Sequence, residues 1–257
     1  MGIKSQHRAG GDPGNRKFNP GAVAAAALLI LVVPVSAQKV GLTDPFDVPT
    51  PEISFGYTYF EGLYDGAGPV DFEGQETDEL RLKQQVVGGR IAQQFFSRFL
   101  IHIDAGIAEN RLENTRFENS PVYGGGLQVL LVPNREFYLK GIGQFALHDT
   151  VELRGSSDTE MQIRNDWQAG FLIGREGDAQ PLLGEEITGS RTYLGAVYSA
   201  REFRVHSNRA ETFEHKRLAG LIGLVGIQLD VGDHFGLAVE GHLGAASGGS
   251  GWLYYRF

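Results

Sequence analysis

The 257 residues contain no cysteine, which excludes disulfide frameworks, thiolate metal centres and cysteine nucleophiles together. A spanning helix needs about 20 consecutive apolar residues, and the continuous run Ala22 to Val33 supplies twelve. From Ile53 onward no amphipathic helix can be read. Phosphate loop, HExxH pair, nucleophile elbow and dinucleotide fingerprint are all missing. Positive charge is in short supply, with 23 Lys and Arg against 31 Asp and Glu and a net charge of −8, which argues against nucleic acid as a partner. The chain also lacks a polar tail and closes on Gly251-Trp252-Leu253-Tyr254-Tyr255-Arg256-Phe257.

The N-terminal segment has the layout of an export signal. Lys4, Arg8, Arg16 and Lys17 form a basic start, Ala22 to Val33 an apolar core, and Pro34 a break before Val35-Ser36-Ala37. Twelve apolar residues suit a signal peptide better than an anchor, so residues 1–37 are expected to be removed. Residues 38–52, with Pro45, Pro49 and Pro51, read as an extended lead-in.

Glycine is abundant, 36 residues, about twice the usual share of ~7%. The glycines sit inside apolar–polar alternations such as Phe55-Gly56-Tyr57 and Val239-Glu240-Gly241-His242. Glycine weakens a strand unless curvature or close backbone approach repays the loss, and a small closed barrel needs that curvature.

Ten strands are predicted, at 53–61, 79–92, 98–109, 121–132, 136–148, 161–174, 190–205, 213–230, 234–245 and 250–257. Long and short connections alternate, except that Arg175 to Gly189 is long where a tight turn is due. That rhythm fits an up-and-down barrel with elaborate loops at one end. Period-2 alternation puts Ile101, Ile103, Ala105 and Ile107 on one face and His102, Asp104 and Gly106 on the other. The same split sets Phe235, Leu237, Val239 and Leu243 against Glu240 and His242, and Trp167, Phe171 and Ile173 against Asp166 and Gln168. Leu218 to Leu229 is nearly uniformly apolar, so its facing is open.

Three features favour lipid outside the barrel. Charged residues occupy the polar face, and Tyr57, Tyr59, Tyr123, Phe137, Trp167, Tyr255 and Phe257 cluster near strand ends, as interfacial girdles do. Most strands also reach the ~9–11 residues that a tilted crossing needs. Lipid offers no hydrogen bonds, so the sheet must close, with 250–257 beside 53–61. The expected fold is therefore all-β, a closed up-and-down antiparallel transmembrane β-barrel over 53–257, with ten strands and eight as the alternative.

The closing strand, with terminal Phe257, Tyr255 two before it and Leu253 two before that, resembles the C-terminal signature of bacterial outer-membrane β-barrel proteins. The resemblance covers residues 53–257 in architecture and only the leader and last seven residues in motif. It implies outer-membrane location and recognition of Leu253, Tyr255 and Phe257 by the barrel assembly machinery.

Candidate chemistry is sparse. His102 with Asp104, and Glu240 with His242, project into the lumen, where Lys140, Arg256, Arg81 and Lys83 complete an expected charge network. Residues two apart on a strand are about 7 Å apart at Cα, beyond direct bonding for most rotamers. Arg201, Arg204, Arg209, Lys216 and Arg217 crowd one hairpin and are expected to contact lipopolysaccharide, which is anionic. At the rim stand His148-Asp149, His206-Ser207 and Glu214-His215. Omptin proteases and lipid A deacylases are barrel enzymes with rim histidines, but no Asp-x-Asp, Asp-x-His or His-x-Ser occurs here. His206 and Ser207 are adjacent and face opposite ways. No catalytic residue, cofactor or metal is assigned. The favoured expectation is a structural or interaction role, or a very narrow pore. An outer-membrane hydrolase and a soluble periplasmic ligand-binding barrel are the alternatives.

Overall fold

The computed structural model describes residues 51–66, 79–96, 98–134, 136–177, 180–182, 185–207, 213–216 and 220–257. The leader, most of the lead-in, Arg209 and Arg217 lie outside them.

Ten strands form the wall: β1 (Glu52–Gly66), β2 (Glu79–Phe95), β3 (Phe99–Leu112), β5 (Ser120–Val132), β6 (Tyr138–His148), β8 (Ser156–Gly177), β10 (Glu185–Ser207), β12 (Gly220–Val231), β13 (Phe235–Gly244) and β14 (Ala246–Arg256). Four short pieces accompany them: β4 (Thr115–Arg116), β7 (Val151–Leu153), β9 (Gln180–Leu182) and β11 (Phe213–Lys216). Each wall strand pairs antiparallel with the next, β8 pairs with β10, and β14 pairs with β1. The barrel is therefore closed and leaves no wall strand with a free edge. The closing seam runs from Glu52↔Arg256 through Phe55↔Leu253 to Gly62↔Ala246, as the alternation of the last strand requires.

Hydrogen-bonded partners followed round the wall from Ile53 pass through Ile91, Ile103, Gly125, Phe145, Trp167 and Ala200. Ile53 is near the end of the barrel that holds Phe257, whereas Ala200 lies well toward the opposite end of β10. The row climbs because the strands tilt and stagger, as closure demands.

The end with Phe257 (the near end) has tight turns after β2, β5 and β12. The expected long connection at Arg175 to Gly189 is largely strand. β8 continues to Gly177, β10 begins at Glu185, and β9 pairs with β10 between them. At the far end the predicted eighth strand is two elements. β11 is a short return strand, and the wall strand β12 starts only at Gly220.

The outward face carries the apolar residues. Ile101, Ile103, Leu237 and Val239 are exposed, Ile103 to 68%, while His102 and Glu240 are each 2% exposed inside. A soluble barrel would bury these apolar side chains, so that alternative is overturned. Phe95, Phe96, Phe99, Phe137, Phe235 and Phe257 ring the near end. Farther up the wall stand Tyr57, Tyr123, Phe145, Trp167 and Tyr198, with the Trp167 and Tyr198 rings 5.7 Å apart.

Both faces change character beyond that second set of aromatics. Outward, β2 passes from Ile91 and Val87 to Lys83 and Arg81, and β3 from Ile103 and Ile107 to Glu109 and Arg111. Inward, β2 passes from Arg90 and Gln84 to Leu82 and Leu80, and β10 from Ser199 and Arg201 to Phe203 and Val205. Apolar side chains lie outside low on the wall and inside high on it. Lys83 and Arg81 consequently face out, correcting their expected place in the lumen; Arg81 is bonded to Glu61 at 3.3 Å on the outer surface.

The upper part is a second, smaller ring. β5, β6, β12, β13 and β14 stop below it, and β4, β7 and β11 take their place. β11 pairs with β10 on one side and, at Asp65↔Lys216 and Gly66↔His215, with β1 on the other. β4 pairs with β3, and β7 with β8. The Phe117↔Leu153 bridge and the bonds from Glu118 N to Glu152 O and Arg154 N to Arg116 O join the last gap. This collar encloses Tyr64, Leu80, Leu82, Leu112, Phe117, Val151, Met161, Ile163, Phe203 and Val205. Its apolar interior and polar exterior are those of a barrel in water, stacked on one whose exterior is apolar.

Candidate functional site

Below the collar the lumen is filled in layers. Nearest the near end, Arg256 bonds Glu52 at 3.4 Å and Asp230 at 3.2 Å, while Arg191 bonds Asp230 and Glu176, each at 3.1 Å. The Tyr254 hydroxyl donates to Asp230. Carboxylates and guanidinium groups alternate, which lets buried charge of both signs persist.

Higher up, Arg90 grips Asp104 through two bonds of 2.6 and 3.0 Å, and His102 lies 3.6 Å from the same carboxylate. Arg90 and Asp104 are direct cross-strand partners on β2 and β3. Across the lumen, Glu240 accepts from the Tyr193 hydroxyl at 2.6 Å and lies 2.7 Å from His242 Nε2. That contact corrects the expectation that residues two apart on a strand stay out of bonding reach; buried, both side chains lean along the strand toward each other. Lys140 is buried, with its ammonium 5.5 Å from the Tyr138 ring centroid.

The glycines meet interior aromatics. Gly174 faces Tyr138, Gly226 faces Tyr193, Gly236 faces Tyr254 and Gly56 faces Trp252, each pair directly opposite across a ladder. A Cβ at any of the four would fall within the facing ring. The rings pack closely against bare backbone, and Trp252 and Tyr138 are almost wholly buried inside the barrel. Close approach accounts for these glycines, as the alternations predict.

Where barrel and collar meet, a third polar layer crosses the lumen. Gln84 donates to Asn110 at 2.8 Å, Arg201 Nη1 donates to Gln84 Oε1 at 3.2 Å, and Arg201 Nη2 lies 2.6 Å from Asp166 Oδ2. His148 Nε2 is 2.8 Å from the same oxygen. Arg201 also covers the Phe60 ring at 4.5 Å. Arg201 is thus 3% exposed inside the barrel, which corrects its expected contact with lipopolysaccharide. Arg204, three residues on, faces outward. His148 turns inward while Asp149 is exposed, so the rim pair does not share a site.

Of the expected lumen residues, His102, Asp104, Lys140, Glu240, His242 and Arg256 all face inward, in more than one layer. The sequence reading missed Arg90, Arg191, Asp230, Tyr193 and the Asp166–His148–Arg201 cluster as network members. Their partners come from other strands, so no short spacing marks them; the parity of Asp166 beside Trp167 was the one available signal. Among the described residues, no group of three or more His, Asp or Glu could hold a metal ion.

No protein-family model and no curated protein matches the chain. In solved structures it is similar to the translocator domain of autotransporter NalP from Neisseria meningitidis, with 11% identity, TM-score 0.43, 95% of this chain and 100% of that one. The transport unit of autotransporter AIDA-I from Escherichia coli gives 12% identity, TM-score 0.41 and coverage of 94% and 99%. The Pseudomonas putida toluene transporter TodX gives 9% identity, TM-score 0.27 and coverage of 87% and 94%. The closed ladder, not these likenesses, establishes the barrel.

Proposed function

We propose that the chain is an integral protein of the bacterial outer membrane, exported by residues 1–37, that acts as a sealed structural or interaction element presenting its collar at the cell surface. The observation that carries this reading is the reversal along the wall, from apolar outside to apolar inside. The lower belt suits lipid, and the collar suits water. A filled lumen under an apolar collar core favours this role over a narrow pore, because ions crossing it would have to shed water against Leu82, Leu112, Ile163 and Phe203.

Arg204, Arg209, Lys216 and Arg217 are the residues proposed to meet lipopolysaccharide phosphates, without Arg201. Leu253 and Phe257 are exposed and Tyr255 half-exposed on the outer face of the closing strand, where the assembly machinery would read them. A hydrolase has less support, since the inward histidines lie under the collar and His206 faces outward.

Planar-bilayer recording with the refolded chain tests the sealed barrel. No conductance steps are expected, either for the wild type or for Glu240→Gln, because the collar core remains in both. Ohmic steps of uniform size in the wild type would establish the pore instead.

A further inference from the structure

We infer that the near end carries a lipid headgroup site on the outer face of β8 and β10, where Arg175, Thr192 and Ser190 hold the phosphate of one inner-leaflet phospholipid. The inference rests on the membrane reading above. Most wall strands close their outward face at the near end on an apolar side chain, as with Phe95, Phe99, Phe137, Val231 and Phe235. The neighbours β8 and β10 do not. Below Ile173, β8 shows Arg175 and Gly177, and below Leu194, β10 shows Thr192 and Ser190.

The apolar stretch is correspondingly short on these two strands. It runs from Trp167 to Ile173 on β8 and from Leu194 to Ala200 on β10, seven residues each, against eleven from Phe137 to Leu147 on β6 and from Leu221 to Val231 on β12. A tilted crossing needs about 9–11. Direct partners place the shortfall at the near end: Ile227 stands opposite Thr192 and Leu229 opposite Ser190, while Phe137 follows the Tyr138↔Gly174 pair beside Arg175. The belt thus has a polar notch with apolar strands on both sides. Where an apolar wall is too short, headgroups are drawn in along it.

Arg175 and Thr192 are direct partners, as are Gly177 and Ser190, so the polar side chains form one patch. A Cβ at Gly177 would come within 2.5 Å of Ser190 Oγ, and the glycine leaves the space below Arg175 open. Among the described residues, Arg175, Thr192 and Ser190 make no side-chain hydrogen bond or ion pair. Arg175 is the one charged side chain on this outward face of β6, β8, β10 and β12. Glu176 beside it points inward to Arg191, and Glu136 and Asp233 stand on the flanking turns. A guanidinium holds a phosphate through two parallel bonds, and the two hydroxyls add donors. The acyl chains of the same lipid lie along Ile173, Phe171 and Leu194, which are exposed above the notch.

Native mass spectrometry of the refolded chain, released from detergent micelles containing phosphatidylglycerol, tests the site. One phosphatidylglycerol is expected to stay bound, and diacylglycerol with the same acyl chains is not. Arg175→Phe, which completes the apolar ring, should lower retention about tenfold, the loss of one charge-assisted contact. Arg98→Ala, on the turn between β2 and β3, should leave it unchanged. No retained lipid in the wild type, equal retention of diacylglycerol, or undiminished retention by Arg175→Phe overturns the proposal. Folding of the same preparations into liposomes, read by gel mobility, separates the two readings. A wild-type chain that folds there and retains no lipid refutes the notch alone, whereas one that does not fold there refutes the membrane reading and the notch with it.

Discussion

The ring of Tyr254 packs against the backbone of Gly236, its direct partner across the β13–β14 ladder, and its hydroxyl reaches on to Asp230 of β12. One side chain thus ties three strands next to the closing seam. Gly236→Ala places a methyl group inside the ring. Overpacking of this kind costs about 1–3 kcal/mol, so the urea midpoint of the refolded variant should fall. Gly251→Ala, where a Cβ meets nothing within 4 Å, should leave it unchanged.

Asp166 holds both Arg201 and His148 in a layer closed off above and below. Asp166→Asn strands a buried guanidinium, a loss of about 3–5 kcal/mol. Removing both charges with Asp166→Leu and Arg201→Met should recover much of it. Equilibrium unfolding of single and double variants measures the difference, and a double variant no better than the single would refute the pairing.

Ile103 stands mid-belt on the outer face, and Glu152 stands outside the collar. If lipid surrounds the first and water the second, Ile103→Arg should cost about 2–4 kcal/mol. Glu152→Arg should change stability by less than about 0.5 kcal/mol. Folding into liposomes, read by heat-modifiable gel mobility, compares them. Equal effects at both sites would count against the membrane belt.

Phe257 packs edge-on against Tyr255, with ring centroids 5.1 Å apart, at the end of the strand that completes the cylinder. Deleting Phe257 should lower the amount of protein in the outer membrane severalfold while leaving β1–β14 pairing intact in protein refolded from urea. Undiminished outer-membrane levels would remove its role in assembly.

Sequence alone determined the two faces of the strands whose alternation is clearest. Alternation with period two is a local property, so Ile101, Ile103, Leu237 and Val239 were legible as one face, and His102, Asp104, Glu240 and His242 as the other. The pairing of the last strand with the first followed from the same logic, since a sheet in lipid has no tolerable edge. Tertiary structure alone decided what meets inside. The extra residue at Asn165, whose φ is 49°, shifts the register against β10. It lets Asp166 point inward below while Ile163 and Met161 point inward above, and so sets the Asp166–Arg201 pair. The facing of Leu218 to Leu229 was likewise fixed by partners, with Gly226 lying under Tyr193 and Ile222 and Leu224 turned inward. Closure of the collar rests on short segments whose pairing depends on where five wall strands stop. Register, bulges and cross-lumen contacts arise between segments far apart in the chain, and no local pattern encodes them.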